Sequence, residues 1–308
     1  MALGEVSADC RRRLVGHYGA TATAWIAQAP SLLDVAAVRW GLSLVGYHDV
    51  GHASVVVTAV SRQGRALALK AWTDPMRYRH EVAALRHWAD GPAVEVVDSA
   101  DDLAVAALEM VGGQPGGSNR PVGELAEVAE ALNALHALGR RRTPAGFPLL
   151  ADYLREELTP RVLARLRGRD LGRWRPVART GLRALADVLR ESRGDGGHQT
   201  MLHGDLYREN VLFSEAQRPV FVDPLPMVGS AAFDWAFWTV YYEVGHRLED
   251  RMALAVQISG LPDLDIRRWC AALLLDGLLY YRETDDPRTS RFGDTAVAFA
   301  LDEEGRRS

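Results

Sequence analysis

His203-Gly204-Asp205-Leu206-Tyr207-Arg208-Glu209-Asn210 is followed, after a short apolar run and a turn, by Val222-Asp223-Pro224. An aspartate, an asparagine five residues on and a second aspartate thirteen residues after that supply the chemistry of a phosphoryl-transfer site. The Asp205 carboxylate can accept a proton from a hydroxyl. The Asn210 amide carbonyl and the Asp223 carboxylate offer hard oxygens suited to Mg²⁺. Taken singly, Asp205 beside Gly204 could be a turn aspartate capping the backbone, and Asp223 could simply open a turn at Pro224. The joint spacing favours the catalytic reading.

The run fits the kinase catalytic-loop pattern H-R-D-x-x-x-x-N with Gly204 in the arginine's place. A second feature points the same way. The chain holds 35 arginines and one lysine, Lys70, which ends Arg65-Ala66-Leu67-Ala68-Leu69-Lys70. A position that keeps lysine in so arginine-rich a chain calls for a compact ammonium rather than a planar fork. Eleven residues later Glu81 lies in a helix begun by Asp74-Pro75. A strand lysine held by a helix glutamate and aimed at nucleotide phosphates is the other half of a kinase site.

Outward from these motifs, the first 112 residues read as a helix over 21–28 and a small antiparallel sheet. The strands are expected at 42–47, 54–60, 65–72, 93–97 and 103–109, with the Glu81 helix crossing them and a turn at 98–102. The glycine-rich stretch 111–117 marks a boundary, which divides the chain into a nucleotide-binding lobe, 1–112, and a catalytic and substrate-binding lobe, 113–308. The second lobe is mostly helical, with helices expected at 122–138, 149–166, 177–190, 232–247, 251–258, 265–281 and 295–302. Two short strands, 211–213 and 220–222, follow the catalytic loop. The fold class is α+β.

The loop 46–54 lies where a glycine loop over phosphates belongs, which makes Gly51 and Ser54 candidate phosphate contacts. With two glycines it does not match G-x-G-x-x-G, and any hairpin turn would look similar. His48 and His52 read as exposed loop residues, and His203 as a packing residue under the catalytic loop. Asp234 is either a helix-start carboxylate or a support for that loop. Glu243, Glu249, Asp276, Glu283, Asp285 and Asp286 are the carboxylates that could meet a cationic acceptor. Each alone reads more simply as helix surface.

With 48% apolar residues and a formal charge of −4, the chain has no electrostatic drive toward nucleic acid or an anionic membrane. Eleven arginines between Arg155 and Arg193 alternate with leucines at helical spacing and read as a solvated helix face. The start has no apolar core of signal-peptide length, and no apolar run approaches a membrane span. Cys10 and Cys270 make no disulfide framework and read as free thiols. A soluble cytoplasmic protein is expected, as monomer or homodimer, with neither nucleic acid nor membrane as partner.

His203-Gly204-Asp205-Leu206-x-x-x-Asn210-Val211-Leu212 and Val222-Asp223-Pro224 resemble the aminoglycoside phosphotransferases. Further matches are similar to their streptomycin 6-phosphotransferase and hydroxyurea phosphotransferase branch: Ala24-Trp25-Ile26-Ala27, Ala53-Ser54-Val55-Val56-Val57, Ala66-Leu67-Ala68-Leu69-Lys70, Leu108-Glu109-Met110-x-x-Gly113 and Val222-Asp223-Pro224-x-Pro226-x-Val228-Gly229. The resemblance spans about residues 20–285. It implies a two-lobed, protein-kinase-like fold with nucleotide held near Glu109 to Val111. It also implies Lys70 on the α- and β-phosphates, Mg²⁺ on Asn210 and Asp223, and Asp205 facing the acceptor hydroxyl. Tyr207 stands where many relatives have histidine, and Ser230 where many have aspartate. Both departures bear on acceptor choice.

The expected reaction is O-phosphorylation of a small molecule by ATP or GTP with Mg²⁺. The expected acceptor is an antibiotic, an aminoglycoside such as streptomycin or a related hydroxylated compound. A metabolic kinase for a sugar, choline-like or amino alcohol is the alternative, and a nucleotide-binding module without turnover is a third reading.

Overall fold

The computed structural model describes residues 3–48, 53–141, 146–192 and 199–306. Helix α1 (Ala8–Tyr18) starts where the Ser7 hydroxyl accepts the Cys10 N–H. Helix α2 (Ala22–Trp40) extends well past the predicted 21–28 and runs through Pro30. Ile26, Ala29, Leu33, Ala36 and Ala37 form one buried stripe, and that burial outweighs the break a proline usually makes.

Strands β1 (Leu42–His48), β2 (Ser54–Ser61) and β3 (Ala66–Trp72) follow, then α3 (Pro75–His87), β4 (Val96–Ala100) and β5 (Val105–Glu109). They form an antiparallel sheet in the order β1-β2-β3-β5-β4. Asp74 caps α3 by accepting the Met76 N–H at 2.8 Å, with Pro75 in the first turn. Strand β4 begins three residues later than the sequence suggests, so Asp98 and Ser99 sit in the strand and not in a turn. The chain reverses at 101–104 instead, where Ala104 adopts φ +51°. Ala93 pairs with Phe221 rather than with the sheet.

The remaining elements are α4 (Glu124–Arg141), α5 (Leu150–Tyr153), α6 (Thr159–Leu166), α7 (Arg175–Glu191), β6 (Gln199–Leu202), β7 (Val211–Phe213), β8 (Pro219–Phe221), β9 (Met227–Ser230), α8 (Ala232–Tyr241), α9 (Leu248–Ser259), α10 (Asp263–Glu283) and α11 (Thr289–Gly305). The helix expected over 149–166 is divided by one π-helical turn, Leu154–Leu158. The one expected over 232–247 stops at Tyr241, ahead of Gly245 at φ +81°. Among the described residues no helix is long and apolar enough to cross a membrane.

The chain divides into two compact units, Met1–Glu127 with Asn210–Leu225, and Val128–Glu209 with Pro226–Ser308. The glycine-rich stretch 111–117 therefore lies inside the first unit. In that unit α1 and α2 cover one face of the sheet, packing Leu14, Ile26 and Leu33 on Val55, Val57, Leu69 and Val105. The opposite face packs Trp72, Ala106 and Leu108 with Tyr78, Val82 and Leu85 of α3, and with Leu212 and Val220 of the β7–β8 hairpin.

In the second unit β6 pairs with β9, with Met201 opposite Val228. A Cβ on Gly139 of α4 would lie 2.9 Å from both the N and the O of Met201. Gly139→Ala is therefore expected to destabilise the protein by about 1–3 kcal/mol, because the Met201 backbone and the buried Thr200 hydroxyl, which donates to His136 O, must both yield. A denaturant midpoint equal to that of the parent would contradict this close approach. Strand β6 leads directly into His203, so its seating on α4 also sets where the next loop starts.

Candidate functional site

Alternation along β3 puts Lys70 and Trp72 on one face of the sheet, with Leu69 and Ala71 on the other. Lys70 Nζ donates to Glu81 Oε1 at 2.5 Å and to Asp223 Oδ1 at 2.8 Å. Trp72 Nε1 donates to the second Glu81 oxygen at 2.7 Å. The Lys70 ammonium also lies 4.7 Å from the Trp72 ring centroid. The lysine and glutamate side chains are 5% and 1% exposed, whereas that of Asp223 is 40% exposed. Burial would lower the Lys70 pKa, but Asp223 and Glu81 outweigh it and hold the ammonium above its ordinary range. Lys70 is therefore charged at neutral pH.

Trp72 is part of this cluster, and the sequence reasoning passed over it. The available signal was its position two residues after Lys70, on the same face of an alternating strand. Without its indole N–H, one oxygen of a buried carboxylate would lose its donor.

Asp223 follows β8 and adopts φ +55°, a left-handed conformation that an ordinary side chain occupies at a cost of about 1–3 kcal/mol. The neighbouring Val222 N–H donates to the Asn210 carbonyl at 2.9 Å, which ties the two candidate metal ligands across the base of the hairpin. His48, read from sequence as an exposed loop residue, instead closes β1 and is half-buried. Burial lowers its pKa, against an opposing pull from Asp223, so its imidazole is neutral at pH 7.

Ser54 opens β2, buried and paired with Trp72 across the sheet. Glu109 ends β5, and its N–H donates to Glu95 O at 2.9 Å. Val111 is buried, and Gly112 after it takes φ +64°. Gly51 and His52 lie outside the described residues.

In the second unit the catalytic-loop segment is fixed from below by Asp234 of α8, which is fully buried. Its Oδ2 accepts the His203 N–H at 2.7 Å, and its Oδ1 accepts the Gly204 N–H at 2.9 Å. His136 Nε2 of α4 lies 2.9 Å from Oδ2 and serves as a third donor. Both readings of Asp234 are realised, since it lies in the first turn of α8 and supports the loop. His203 is also fully buried, and its Nδ1 accepts the Asp205 N–H at 3.3 Å. Gly204 turns the chain at φ +79°, which leaves Asp205 at the outer end of the segment.

Asp234→Asn replaces one carboxylate oxygen by an amide that cannot accept, leaving a buried N–H without a partner. The expected cost is about 1–3 kcal/mol of stability, with a fall in turnover as the loop loosens. A variant with parental melting temperature and turnover would show that the loop holds itself.

Tyr207 rests edge-on against Phe237, with centroids 5.0 Å apart, and tilted against Tyr241 at 5.2 Å. Its pKa is raised, chiefly by burial and then by the charge of Asp205. A neutral phenol therefore stands beside Asp205.

The profile of the Phosphotransferase enzyme family matches residues 52–271, which include Lys70, Glu81, Asp205, Asn210 and Asp223. The chain is 29% identical over 223 residues to the streptomycin 6-kinase of Streptomyces griseus, covering 70% of this chain and 68% of that protein. It is 26% identical over 291 residues to the hydroxyurea phosphotransferase of Kitasatospora aureofaciens, covering 91% and 81%. A crystal structure of an aminoglycoside phosphotransferase aligns with TM-score 0.59 at 16% identity, covering 89% of this chain and 98% of that one. At that identity the match speaks for the fold alone, which is protein-kinase-like. The chain belongs to the phosphotransferase enzyme family, on its aminoglycoside phosphotransferase branch, and is a kinase that places a phosphoryl group on an alcohol hydroxyl.

Proposed function

We propose that the protein transfers the γ-phosphate of ATP or GTP to a hydroxyl of a small antibiotic and so protects the cell that makes it. The observation that carries this reading is the Lys70 ammonium held between buried Glu81 and half-exposed Asp223. Lys70 would contact the α- and β-phosphates while Glu81 fixes its position. The backbone from Glu109 to Val111 would receive the nucleotide base, and Ser54, with Gly51 before it, would lie against the phosphates.

One carboxylate and one amide carbonyl, tied together through Val222, suit a hard cation that keeps water and phosphate oxygens as its other ligands. Asn210 and Asp223 would hold Mg²⁺, which supplies charge neutralisation at the triphosphate. Asp205 would hold the acceptor hydroxyl in line and take its proton, on a loop kept rigid by Asp234. Positioning and electrostatics then account for most of the rate, because a loose phosphoryl transition state leaves little bond-making to the protein.

The antibiotic acceptor is supported by the streptomycin 6-kinase and hydroxyurea phosphotransferase names of the relatives. The test is incubation with labelled ATP or GTP and a library of hydroxylated antibiotics, followed by mass detection of an added phosphate. A phosphorylated antibiotic is the expected result. Phosphorylation only of sugars or amino alcohols would replace it with a metabolic role.

A further inference from the structure

Among the described residues two arginines are buried, and their surroundings differ. Arg267 of α10 is 7% exposed and meets Asp263 at 2.8 Å, Asp302 at 3.2 Å and Glu303 at 2.8 Å. Arg251 of α9 is 4% exposed and makes no ion pair among the described residues. Its Nε donates to Thr239 O at 2.6 Å and its Nη1 to His246 O at 2.7 Å. Both acceptors are neutral backbone carbonyls, so the guanidinium is oriented while its charge is left unmet. A buried charge without a counter-ion is strongly unfavourable, which is why such groups are ordinarily paired.

Arg251 lines a cavity of about 230 Å³ where the end of α8, the start of α9 and the first turns of α11 meet. Every residue lining it belongs to the second unit. Val240, Leu274 and Phe292 give it apolar sides, and His246, Arg291 and Thr295 add polar groups. Two carboxylates stand close without reaching Arg251. Glu243 lies 3.9 Å from Arg291, beyond hydrogen-bond reach, and Glu249 pairs with Arg247 at 3.3 Å. Asp250, next to Arg251 in sequence, is exposed and takes no part in the lining. Helix α9 starts without a side-chain cap, so its positive end borders the same space.

We propose that this cavity binds a small oxyanion, a carboxylate or phosphate group seated on the unused edge of Arg251. Its Nη2 makes no hydrogen bond among the described residues, and the two backbone bonds fix the plane of the fork. A guanidinium held in this way offers paired N–H donors to one oxyanion, and apolar sides strengthen such bonds. Arg291, with its side chain 78% exposed, can add a second charge from α11. Clamping the end of α8 accounts for the Nε and Nη1 bonds and leaves the charge of Arg251 without a purpose. Lys70, Asp205, Asn210 and Asp223 do not line the cavity. The site is therefore additional to the transfer reaction and sets no condition on the charge of the acceptor.

The test is calorimetric titration of the full chain with inorganic phosphate and with succinate, sodium chloride keeping the ionic strength constant. A parallel series contains saturating ADP and Mg²⁺, which would displace an anion from Lys70 but not from Arg251. The expected result is saturable binding of one anion per chain with a roughly millimolar Kd, unchanged by ADP. Arg251→Gln should weaken it roughly tenfold or more through loss of the charged fork. If Arg251→Gln does not fold, Arg291→Glu, at an exposed position, should weaken binding roughly tenfold by putting a like charge beside the anion.

Heats no larger than those of sodium chloride overturn the proposal, as does binding that the folded variants keep at full strength. Binding abolished by ADP would put the anion where the nucleotide's phosphates sit, and would overturn it equally. Failure of ADP itself to bind would instead count against the kinase reading, with the variants still deciding whether Arg251 holds the oxyanion.

Discussion

Asp205→Ala lowers kcat by roughly 10²–10⁴-fold and leaves nucleotide affinity nearly unchanged, which is the expectation for losing a positioned proton acceptor. A melting curve of the variant separates loss of chemistry from loss of fold. The loop is pinned through backbone N–H groups, those of His203 and Gly204 on Asp234 and that of Asp205 on His203 Nδ1. Turnover should collapse at temperatures well below the melting point of the variant, where these backbone bonds still hold the loop. Asp205→Asn, equal in size and unable to take a proton, should fall nearly as far. Single-turnover transfer to a confirmed acceptor is the measurement, and parental kcat in either variant would remove Asp205 from its role.

Lys70 carries the second large effect, and there stability and activity separate. Lys70→Met leaves Glu81 buried with Trp72 as its hydrogen-bond donor, and an uncompensated buried charge costs about 3–5 kcal/mol. Lys70→Arg keeps the positive charge and should recover much of that stability. It should still lose turnover, because a planar guanidinium cannot reproduce an ammonium seated 2.5 Å from Glu81 and 2.8 Å from Asp223. Denaturant melts and kcat/KM measured on both variants decide the matter. An arginine variant as active as the parent would show that charge alone is required, and a methionine variant of full stability would contradict the buried pair.

The parts legible in the sequence are those whose spacing is dictated locally. Asp205, Asn210 and Asp223 stand at separations set by one loop and one hairpin, and Lys70 and Glu81 by a strand followed by a capped helix. The partners that complete these groups were not legible, because they come from distant segments. Asp234 meets His203 and Gly204 across about thirty residues, and Arg161 meets Asp276 across 115. From sequence alone the arginines of 155–193 read as a solvated face and Asp276 as helix surface, yet Arg161 and Arg165 both pair with Asp276.

Misplaced boundaries have equally specific causes. Asp98 and Ser99 look like turn residues but lie in a bulged strand, where Ser99 N–H donates to the Asp98 side chain. Pro30 looks like a helix end but sits in a helix held by its buried stripe. Helix α1 escaped notice because Arg11-Arg12-Arg13 interrupts its apolar pattern, although Ser7 marks its start.

The discontinuity of the first unit has a consequence for how the protein is made. Glu81 follows Lys70 by 11 residues, whereas Asp223 follows it by 153. At ordinary rates of translation the ribosome delivers that second carboxylate roughly 8–30 s after the lysine. A nascent N-terminal unit must wait through that interval with the Trp72 face of its sheet uncovered by the β7–β8 hairpin. Ending the chain at residue 127 would make the wait permanent, so this enzyme is a poor candidate for division into separately expressed halves.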